Sequence, residues 1–479
     1  MSKIERTINR LKKIAKKNVT KNHEITLSAL SACSAILYLY SQTYIDNEIE
    51  KMLETESETL LCGKICSFEN NKGRVLFYDG FADDLRGLAL IYLKALVKSG
   101  YDVVYVTDNK GKGNQPNVIN VLDNSIVIYI NLKIKHTKKV KIINDIFQKF
   151  KPEYAFLYSF PDDIAAAFVF KKYEKIVKRY LINLTDHRYW TGINAFDYII
   201  EFRSVGANIS NYYRKIPKEK IRLLPMYPVI NKEEKFQGFP FDAKGKKVVF
   251  SGGCLNKTFG DDGLTYYRIV EHILENHKDV VFLYASRRGN KTELVKILQK
   301  YPNRAYWIDE RTDLYQILEN CTIYLNTYPE CGGLMTQYAA AAGKIPILLK
   351  HSMDEDNILL EQEKRKISYL DYETLVRDVD RLIDDDNYRK ERESLLHDSV
   401  ISEEIFNDQL VKLIEQDKTD FNIEWNHVDI KQITDVYLIA NNNDNFKTDG
   451  IAKKQNAALI RYFPFVFIKK VILRMLRKR

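Results

Sequence analysis

One stretch in the second half of the chain carries the clearest α/β pattern. Residues 326–346 read NTYPECGGLMTQYAAAAGKIP. A short apolar strand ends where this stretch begins, a loop then carries Glu330 and the pair Gly332 and Gly333, a helix of small residues follows, and Gly343 turns the chain into the next strand. A strand, loop, helix and strand in this order predict a parallel α/β sheet, in which ligands bind at the carboxyl ends of the strands.

The same alternation of strands and helices extends to both sides of this stretch. It runs from residue 74 to about residue 230, stops at a segment containing Gly238, Pro240 and Gly245, and restarts at Lys247. The sequence therefore predicts an α/β protein with two tandem Rossmann-like, doubly wound domains. The expected parts are a helical extension (1–72), a first domain (73–230), a linker (231–246), a second domain (247–416), and a return segment with a basic tail (417–479).

Composition and charge limit the classes of function. The chain has 479 residues, 45% of them hydrophobic, and a net charge of +10, which excludes wholesale disorder. Residues 1–22 carry a net charge of +7, residues 461–479 carry another +7, and the residues between them carry −4. A nucleic-acid enzyme would spread its positive charge along a groove, so we expect no nucleic-acid partner. Two basic ends favour attachment to an anionic membrane surface.

The tail is amphipathic. Its apolar side chains share one face of a helix and its basic side chains lie opposite, which is typical of an interfacial helix that is too short and too charged to span a bilayer. A solvated tail is the alternative. The residues predicted to meet the membrane are Phe465, Ile468, Lys469, Lys470, Ile472, Arg474 and Arg477. Residues 25–40, which superficially resemble a signal peptide, are predicted to form a helix packed on the main body.

The six cysteines are too few for a disulfide framework and form no zinc-binding pattern. We therefore expect reduced thiols, a cytoplasmic protein and no metal.

Two strand ends carry the residues suited to binding an anion. The strand 247–251 runs into Gly252 and Gly253, and Lys257 follows four residues later. Glycines allow backbone N–H groups to approach an anion closely, and a lysine can reach the same anion. The helix that begins at Gly332 directs its N-terminal N–H groups at the loop before it, which suits a diphosphate or sugar hydroxyl groups. Ordinary structural turns are the alternative at both places.

These motifs resemble the nucleotide-sugar-binding domain of GT-B glycosyltransferases, in particular the retaining group 1/4-like enzymes of bacterial capsule and surface-polysaccharide synthesis. The resemblance implies that Glu330 contacts hydroxyl groups of the donor sugar and that Lys257 neutralises the donor diphosphate. Two positions depart from the family pattern, since Gly252 replaces an arginine and Tyr338 replaces a second, ribose-binding glutamate. The donor-binding residues it implies are Gly252, Gly253, Arg287, Arg288, Gly332, Gly333, Leu334, Thr336 and Tyr338.

The first half resembles the same family more weakly. Residues 183–192 read NLTDHRYWTG after a predicted strand, and they are similar to the loop whose histidine faces the donor sugar. The resemblance makes His187 a catalytic candidate together with Lys257 and Glu330. The candidates on the acceptor side are Asp83, Asp84, Arg86 and Asp186.

The resemblance implies a retaining hexosyltransferase. No Asp-x-Asp motif stands where a metal-dependent transferase would need one, so we expect a metal-independent enzyme without a cofactor. It would move a sugar from a nucleotide-sugar to a lipid-linked or polysaccharide acceptor, as a peripheral protein on the inner face of the cell membrane. A non-catalytic GT-B subunit that supports a partner transferase and a nucleotide-sugar epimerase are the alternatives.

Overall fold

The computed structural model describes residues 2–61, 67–84, 88–259, 264–286, 289–350, 357–431, 451 and 457–476. The chain divides into two compact units, each built on one parallel sheet. The first unit contains the residues up to 224, residues 404–427 and the described residues from 451 onward, and the second contains residues 225–403 and 428–431. The predicted class, two Rossmann-like α/β domains, is confirmed.

The first unit is a doubly wound fold. Its strands are β1 (Asn71–Asp79), β2 (Asp102–Asp108), β3 (Ile126–Ile130), β4 (Pro152–Tyr158), β5 (Lys178–Ile182), β6 (Tyr198–Glu201) and β7 (Ile221–Leu223). The helices between them are α4 (Ala89–Lys98), α5 (Pro116–Leu122), α6 (His136–Phe150), α7 (Ile164–Lys172) and α8 (Ser204–Tyr212). The strands lie in the order β3-β2-β1-β4-β5-β6-β7, so the order reverses between β1 and β4. Ligands bind at such a reversal in sheets of this kind.

A row of aromatic side chains crosses the centre of this sheet. Phe77 on β1 stacks on Phe156 of β4 with 6.1 Å between ring centres, and Phe156 stacks on Tyr180 of β5 at 4.6 Å. Tyr105 of β2 extends the row on the other side. All four residues are fully buried. Strands covered on both faces read as continuous apolar runs, which is why the sequence pattern located them.

The helical extension is part of the first unit. It forms α1 (Lys3–Asn18), α2 (His23–Tyr40) and α3 (Asn47–Leu60). Ser2 and Glu5 form a capping box that fixes the start of α1. Residues of α2 from Ile25 to Leu37 are buried and join the core of the unit, so the predicted packing of residues 25–40 on the main body is confirmed.

The second unit repeats the architecture. Its strands are β8 (Lys247–Gly252), β9 (Val280–Ala285), β10 (Ala305–Ile308), β11 (Ile323–Leu325), β12 (Pro346–Leu349) and β13 (Ser368–Tyr369), and they lie in the order β10-β9-β8-β11-β12-β13. Its helices are α9 (Thr265–Asn276), α10 (Thr292–Lys300), α11 (Leu314–Glu319), α12 (Gly333–Ala341), α13 (Tyr372–Asp384) and α14 (Asp386–Ser394).

The two units divide the chain differently from the predicted boundaries. The first unit ends at residue 224, before the segment 231–246, and the next helix, α15 (Glu403–Gln416), packs on the first unit rather than the second. Phe406 of α15 is fully buried and meets Tyr92 of α4 edge-on, with 5.1 Å between ring centres. An amphipathic helix shows in its sequence which face is buried but not against which sheet. The last helix among the described residues is α16 (Pro464–Leu476).

Candidate functional site

In the second unit, the predicted lysine and glutamate meet. Lys257 lies in a short 3₁₀ helix just after β8, and Glu330 lies in the loop after β11. The Lys257 Nζ is 2.7 Å from the Glu330 Oε1 and 3.3 Å from the carbonyl oxygen of Cys331. The side chains are 29% and 26% exposed. The carboxyl ends of two adjacent central strands therefore present an accessible cation and an accessible carboxylate next to each other.

The loop between β11 and α12 is held by its own side chains. The Asn326 Oδ1 accepts hydrogen bonds from the N–H groups of Thr327 (2.9 Å) and Gly332 (2.8 Å), and its amide donates to the Thr336 Oγ1 at 2.8 Å. Thr336 in turn donates to the carbonyl oxygen of Gly332. Gly332 and the buried Thr336, both predicted to bind donor, therefore shape the loop. Gly333 and Leu334 begin α12, where N–H groups have no acceptor within the helix.

The glycine turn after β8 is conformationally demanding. Gly253 has a φ of +140°, which residues with a Cβ atom rarely adopt. A Cβ atom on Gly252 would meet only ordinary contacts, with the Met335 Cε at 3.5 Å. Arg287 and Arg288 lie outside the described residues.

The side chain of Tyr338 is hydrogen-bonded to the segment that follows β7. Its hydroxyl donates to the carbonyl oxygen of Val229 at 2.6 Å, and the neighbouring Gln337 amide donates to that of Met226 at 2.8 Å. Burial raises the pKa of Tyr338. The structure thus places this predicted donor-binding residue against the segment that follows β7, and a donor contact remains a prediction.

In the first unit, the residues around His187 form a buried charge network. Asp186 is fully buried, and its carboxylate receives two hydrogen bonds from Arg203, at 2.6 and 2.9 Å. The His187 Nδ1 is 3.1 Å from the Asp186 Oδ1. Burial raises the pKa of Asp186, but the Arg203 charge and the His187 hydrogen bond outweigh it and hold that pKa below its usual range. Asp186, predicted on the acceptor side, therefore orients His187.

The protonation of His187 follows from this arrangement. An ionised carboxylate only accepts hydrogen bonds, so Nδ1 carries the proton that faces Asp186. Burial lowers the pKa of His187, and the hydrogen bond to Asp186 offsets only part of this effect. In the neutral ring the Nε2 atom consequently has the lone pair and can accept a hydrogen bond from a hydroxyl group.

A second buried carboxylate, that of Glu201, lies close to Asp186. Glu201, at the end of β6, accepts hydrogen bonds from Asn183 at 2.8 Å and from Ser210. Burial and the nearby Asp186 raise the pKa of Glu201. A Cβ atom on Gly206 would lie 2.6 Å from the carboxylate oxygens of both acids. Only glycine leaves room there for the two acids.

The helical extension holds the His187 loop. The Tyr44 hydroxyl donates to the carbonyl oxygen of His187 at 3.1 Å, and Arg188 donates to the carbonyl oxygen of Tyr38 at 2.9 Å. Glu50, buried on α3, accepts a hydrogen bond from the Gly192 N–H at 2.9 Å. These residues were not predicted from the sequence. The one available signal was Glu50, an acid on the apolar side of α3.

The other predicted acceptor residues lie after β1. Asp83 is exposed, while Asp84 accepts hydrogen bonds from the Asn117 amide (2.6 Å) and the Val118 N–H (3.0 Å) and so caps α5. Arg86 lies outside the described residues. A small pocket at the ends of β4 and β5 is lined in part by Ser159, Phe160 and Trp190.

The tail forms the predicted helix with an exposed apolar face. Phe465 is 83% exposed and Ile468 and Ile472 are about half exposed. Lys469 is exposed and Lys470 is half-buried. The side chain of Arg474 and all of Arg477 lie outside the described residues. Within the described ranges, no helix is long and apolar enough to cross a membrane.

The described residues contain no cluster of three or more histidine, cysteine, aspartate or glutamate side chains arranged to hold a metal ion. The four described cysteines, Cys33, Cys254, Cys321 and Cys331, are free thiols.

Comparisons with known proteins bear on the fold. No protein-family model matches the sequence, and no curated protein is similar to it in sequence. Among solved structures, a variant of the Thermobaculum terrenum O-GlcNAc transferase is 13% identical, with a TM-score of 0.53 over 84% of this chain and 80% of that one. The UDP-GlcNAc 2-epimerase of Neisseria meningitidis bound to UDP-GlcNAc is 13% identical, with a TM-score of 0.52 (71% and 99%). A glycosyltransferase from Rickettsia africae is 12% identical, with a TM-score of 0.52 (72% and 98%). The chain therefore has the GT-B fold that these glycosyltransferases and epimerases share.

Proposed function

We propose that this chain is a retaining, metal-independent glycosyltransferase of bacterial surface-polysaccharide synthesis, such as that of a capsule. It transfers a hexose from a nucleotide-sugar to a lipid-linked or polysaccharide acceptor, as a peripheral protein on the inner face of the cell membrane. The observation that carries the proposal is the Lys257–Glu330 pair, which lies at the carboxyl ends of β8 and β11. It stands beside the N-terminus of α12 in a GT-B fold.

The proposed mechanism is electrostatic. The leaving nucleoside diphosphate gains negative charge as the glycosidic bond breaks, and the Lys257 ammonium and the first N–H groups of α12 stabilise that charge. Glu330, which holds the ammonium at 2.7 Å, accepts hydrogen bonds from the donor sugar. In the first unit, His187 accepts a hydrogen bond from a substrate hydroxyl group through Nε2, because Asp186 fixes the proton on Nδ1.

Two substitutions test the donor site. Lys257→Ala should slow nucleoside diphosphate release about a hundredfold, since removing one charged contact to a developing anion costs about 3 kcal/mol. Glu330→Gln should raise the KM for the donor and lower kcat. Lys296→Ala is the matched control, because Lys296 forms a comparable 2.8 Å ion pair with Glu293 on α10. Near-normal turnover in both site variants would contradict the assigned site.

The remaining parts of the proposal have separate readouts. A panel of nucleotide-sugars screened by thermal shift identifies the donor, and EDTA should leave its turnover unchanged. Proton NMR of the product should show that the anomeric configuration is retained. Inversion or a requirement for a divalent ion would refute those two assignments while leaving the transferase intact.

A nucleotide-sugar epimerase is the second candidate, because solved structures that share this fold include such epimerases. An epimerase converts the donor into an epimeric nucleotide-sugar without an acceptor, whereas a transferase releases nucleoside diphosphate and glycosylates the acceptor. A non-catalytic subunit would turn over no donor alone but would raise the activity of a partner transferase. Gly252 and Tyr338 depart from the pattern that the resemblance predicts, so this alternative is tested as well.

A further inference from the structure

The two ends of the chain meet on the first unit. Arg10, in the middle of α1, donates a hydrogen bond to the carbonyl oxygen of Tyr462 at 2.7 Å. Its guanidinium group also lies 4.6 Å from the centre of the Phe463 ring. Phe463 is buried and belongs to the same core cluster as the apolar residues of α1 and α2. The helix α16 therefore begins directly after a fixed contact with α1, although the two helices are about 450 residues apart in the sequence.

The helix α1 carries a stripe of basic side chains. Successive members are three or four residues apart, which places them on one side of the helix, and all of them are exposed. Lys12 lies off the stripe and is neutralised by Asp46 and Glu48, each at 2.8 Å. The members of this basic stripe are Lys3, Arg6, Arg10, Lys13 and Lys17. Because Arg10 is one of them, the stripe runs beside the start of α16.

The helix α16 turns its apolar face away from the core. Val466 and Phe467 are half-buried and pack against the core of the first unit. Phe465, Met475 and Leu476 are 83%, 65% and 63% exposed. Exposed apolar side chains that are grouped on one face of a helix mark a site for a binding partner.

We propose that the basic stripe of α1 and the apolar face of α16 form one composite surface that binds an anionic lipid membrane. The stripe supplies electrostatic attraction to lipid headgroups, and α16 inserts its apolar side chains below them. Charge complementarity selects this partner, since a cationic stripe flanking a short apolar helix matches a negatively charged interface. The 13 residues of α16 are fewer than the roughly 20 needed to span a bilayer. The proposal rests on the membrane part of the proposed function and joins the basic amino-terminal helix and the tail helix into one surface.

This surface lies one helix layer from the His187 loop. The helix α2 packs against α1, and the carbonyl oxygens of Tyr38 and Leu39 at its end accept hydrogen bonds from Arg188 of that loop. The composite surface is therefore connected to the His187 loop through a single helix, α2.

Vesicle sedimentation tests the contribution of α1. Vesicles of phosphatidylcholine with phosphatidylglycerol are compared with vesicles of phosphatidylcholine alone. Each basic residue near an anionic leaflet changes binding about fivefold, so a triple variant in the stripe should bind anionic vesicles about a hundredfold more weakly. The stripe variant is R6Q/K13Q/K17Q, and the control that removes the same charge from exposed positions of α6 is K138Q/K141Q/K149Q.

The outcomes are decisive in either direction. Ile468→Ser with Ile472→Ser should also weaken binding, but without reducing its salt dependence, because these side chains carry no charge. A stripe variant that binds like the original protein, or a control variant that loses as much, would overturn the composite surface. So would self-association through α16 in place of vesicle binding. Circular dichroism checks the fold of each variant, and donor turnover in lipid-free solution separates failure of this surface from failure of the proposed chemistry.

Discussion

The buried carboxyl group of Glu50 should make the stability of the first unit depend on pH. Burial raises the pKa of Glu50 from 4.5 to about 7, and the hydrogen bonds from the loop backbone at Gly192 and Ile193 offset only part of that effect. Because the folded protein holds this proton more tightly than the unfolded chain, stability falls as the pH rises from about 4.5 to about 7 and then levels off. Glu50→Gln keeps an oxygen that can accept the Gly192 N–H and removes the ionisation.

The magnitude follows from the two pKa values. A rise of the pKa from 4.5 to about 7 lowers the free energy of unfolding by about 3 kcal/mol at pH 8. At pH 5 the loss is less than about 1 kcal/mol. Glu50→Gln should therefore be more stable than the original protein by about 3 kcal/mol at pH 8 and nearly equal to it at pH 5. Glu58→Gln, on the exposed side of α3, should differ little at either pH.

Urea unfolding followed by tryptophan fluorescence measures this difference. In a Trp307→Phe background, the remaining tryptophans, Trp190 and Trp425, both lie in the first unit, and Trp190 belongs to the loop that Glu50 holds. A stability gain for Glu50→Gln that is the same at pH 5 and pH 8 would contradict the raised pKa, since the effect would then come from packing or hydrogen bonding and not from ionisation.

Three further predictions concern single positions. Gly206→Ala should lower the thermal unfolding midpoint and abolish most turnover, because its Cβ atom would lie 2.6 Å from the carboxylate oxygens of Asp186 and Glu201. Asp84→Ala should cost about 1 kcal/mol of stability in thermal unfolding, since it removes the cap of α5. Tyr338 stands where the resemblance to GT-B glycosyltransferases predicts a ribose-binding glutamate. The nucleoside diphosphate that binds best should therefore bind less than about tenfold more tightly than its 2′-deoxy form in calorimetry, and a larger ratio would mean that another residue supplies the ribose contact.

The strands could be predicted from the sequence because a buried strand appears as a run of apolar residues. The predicted strand at 247–251 matches β8 to within one residue. Its central residues Val248, Val249 and Phe250 are apolar and buried, which is what a strand covered on both faces requires. The pairing of Lys257 with Glu330 was also accessible, because both follow strands whose carboxyl ends meet at one edge of a parallel sheet.

The supporting contacts of the site were not accessible from the sequence. Tyr44 and Glu50 reach the His187 loop across about 140 residues of chain, and Phe406 of α15 meets Tyr92 of α4 across about 310 residues. Periodicity identifies which side of a helix is buried, but the partner depends on how the helices are arranged in space. The amino-terminal helices were therefore predicted as a packed extension, while their role in holding the loop appeared only in the structure.

The structure explains the tyrosine at position 338, where the resemblance to GT-B glycosyltransferases predicts a glutamate. A glutamate there would leave the carbonyl oxygen of Val229 without the hydroxyl that now donates to it at 2.6 Å. Gln337, the residue before it, makes the same kind of bond to Met226, so this part of α12 holds the segment after β7 through two adjacent side chains. The substitution therefore does not leave an empty position. Tyr338 forms a link within the second unit, while Lys257 and Glu330, which we propose bind the donor, lie at the strand ends.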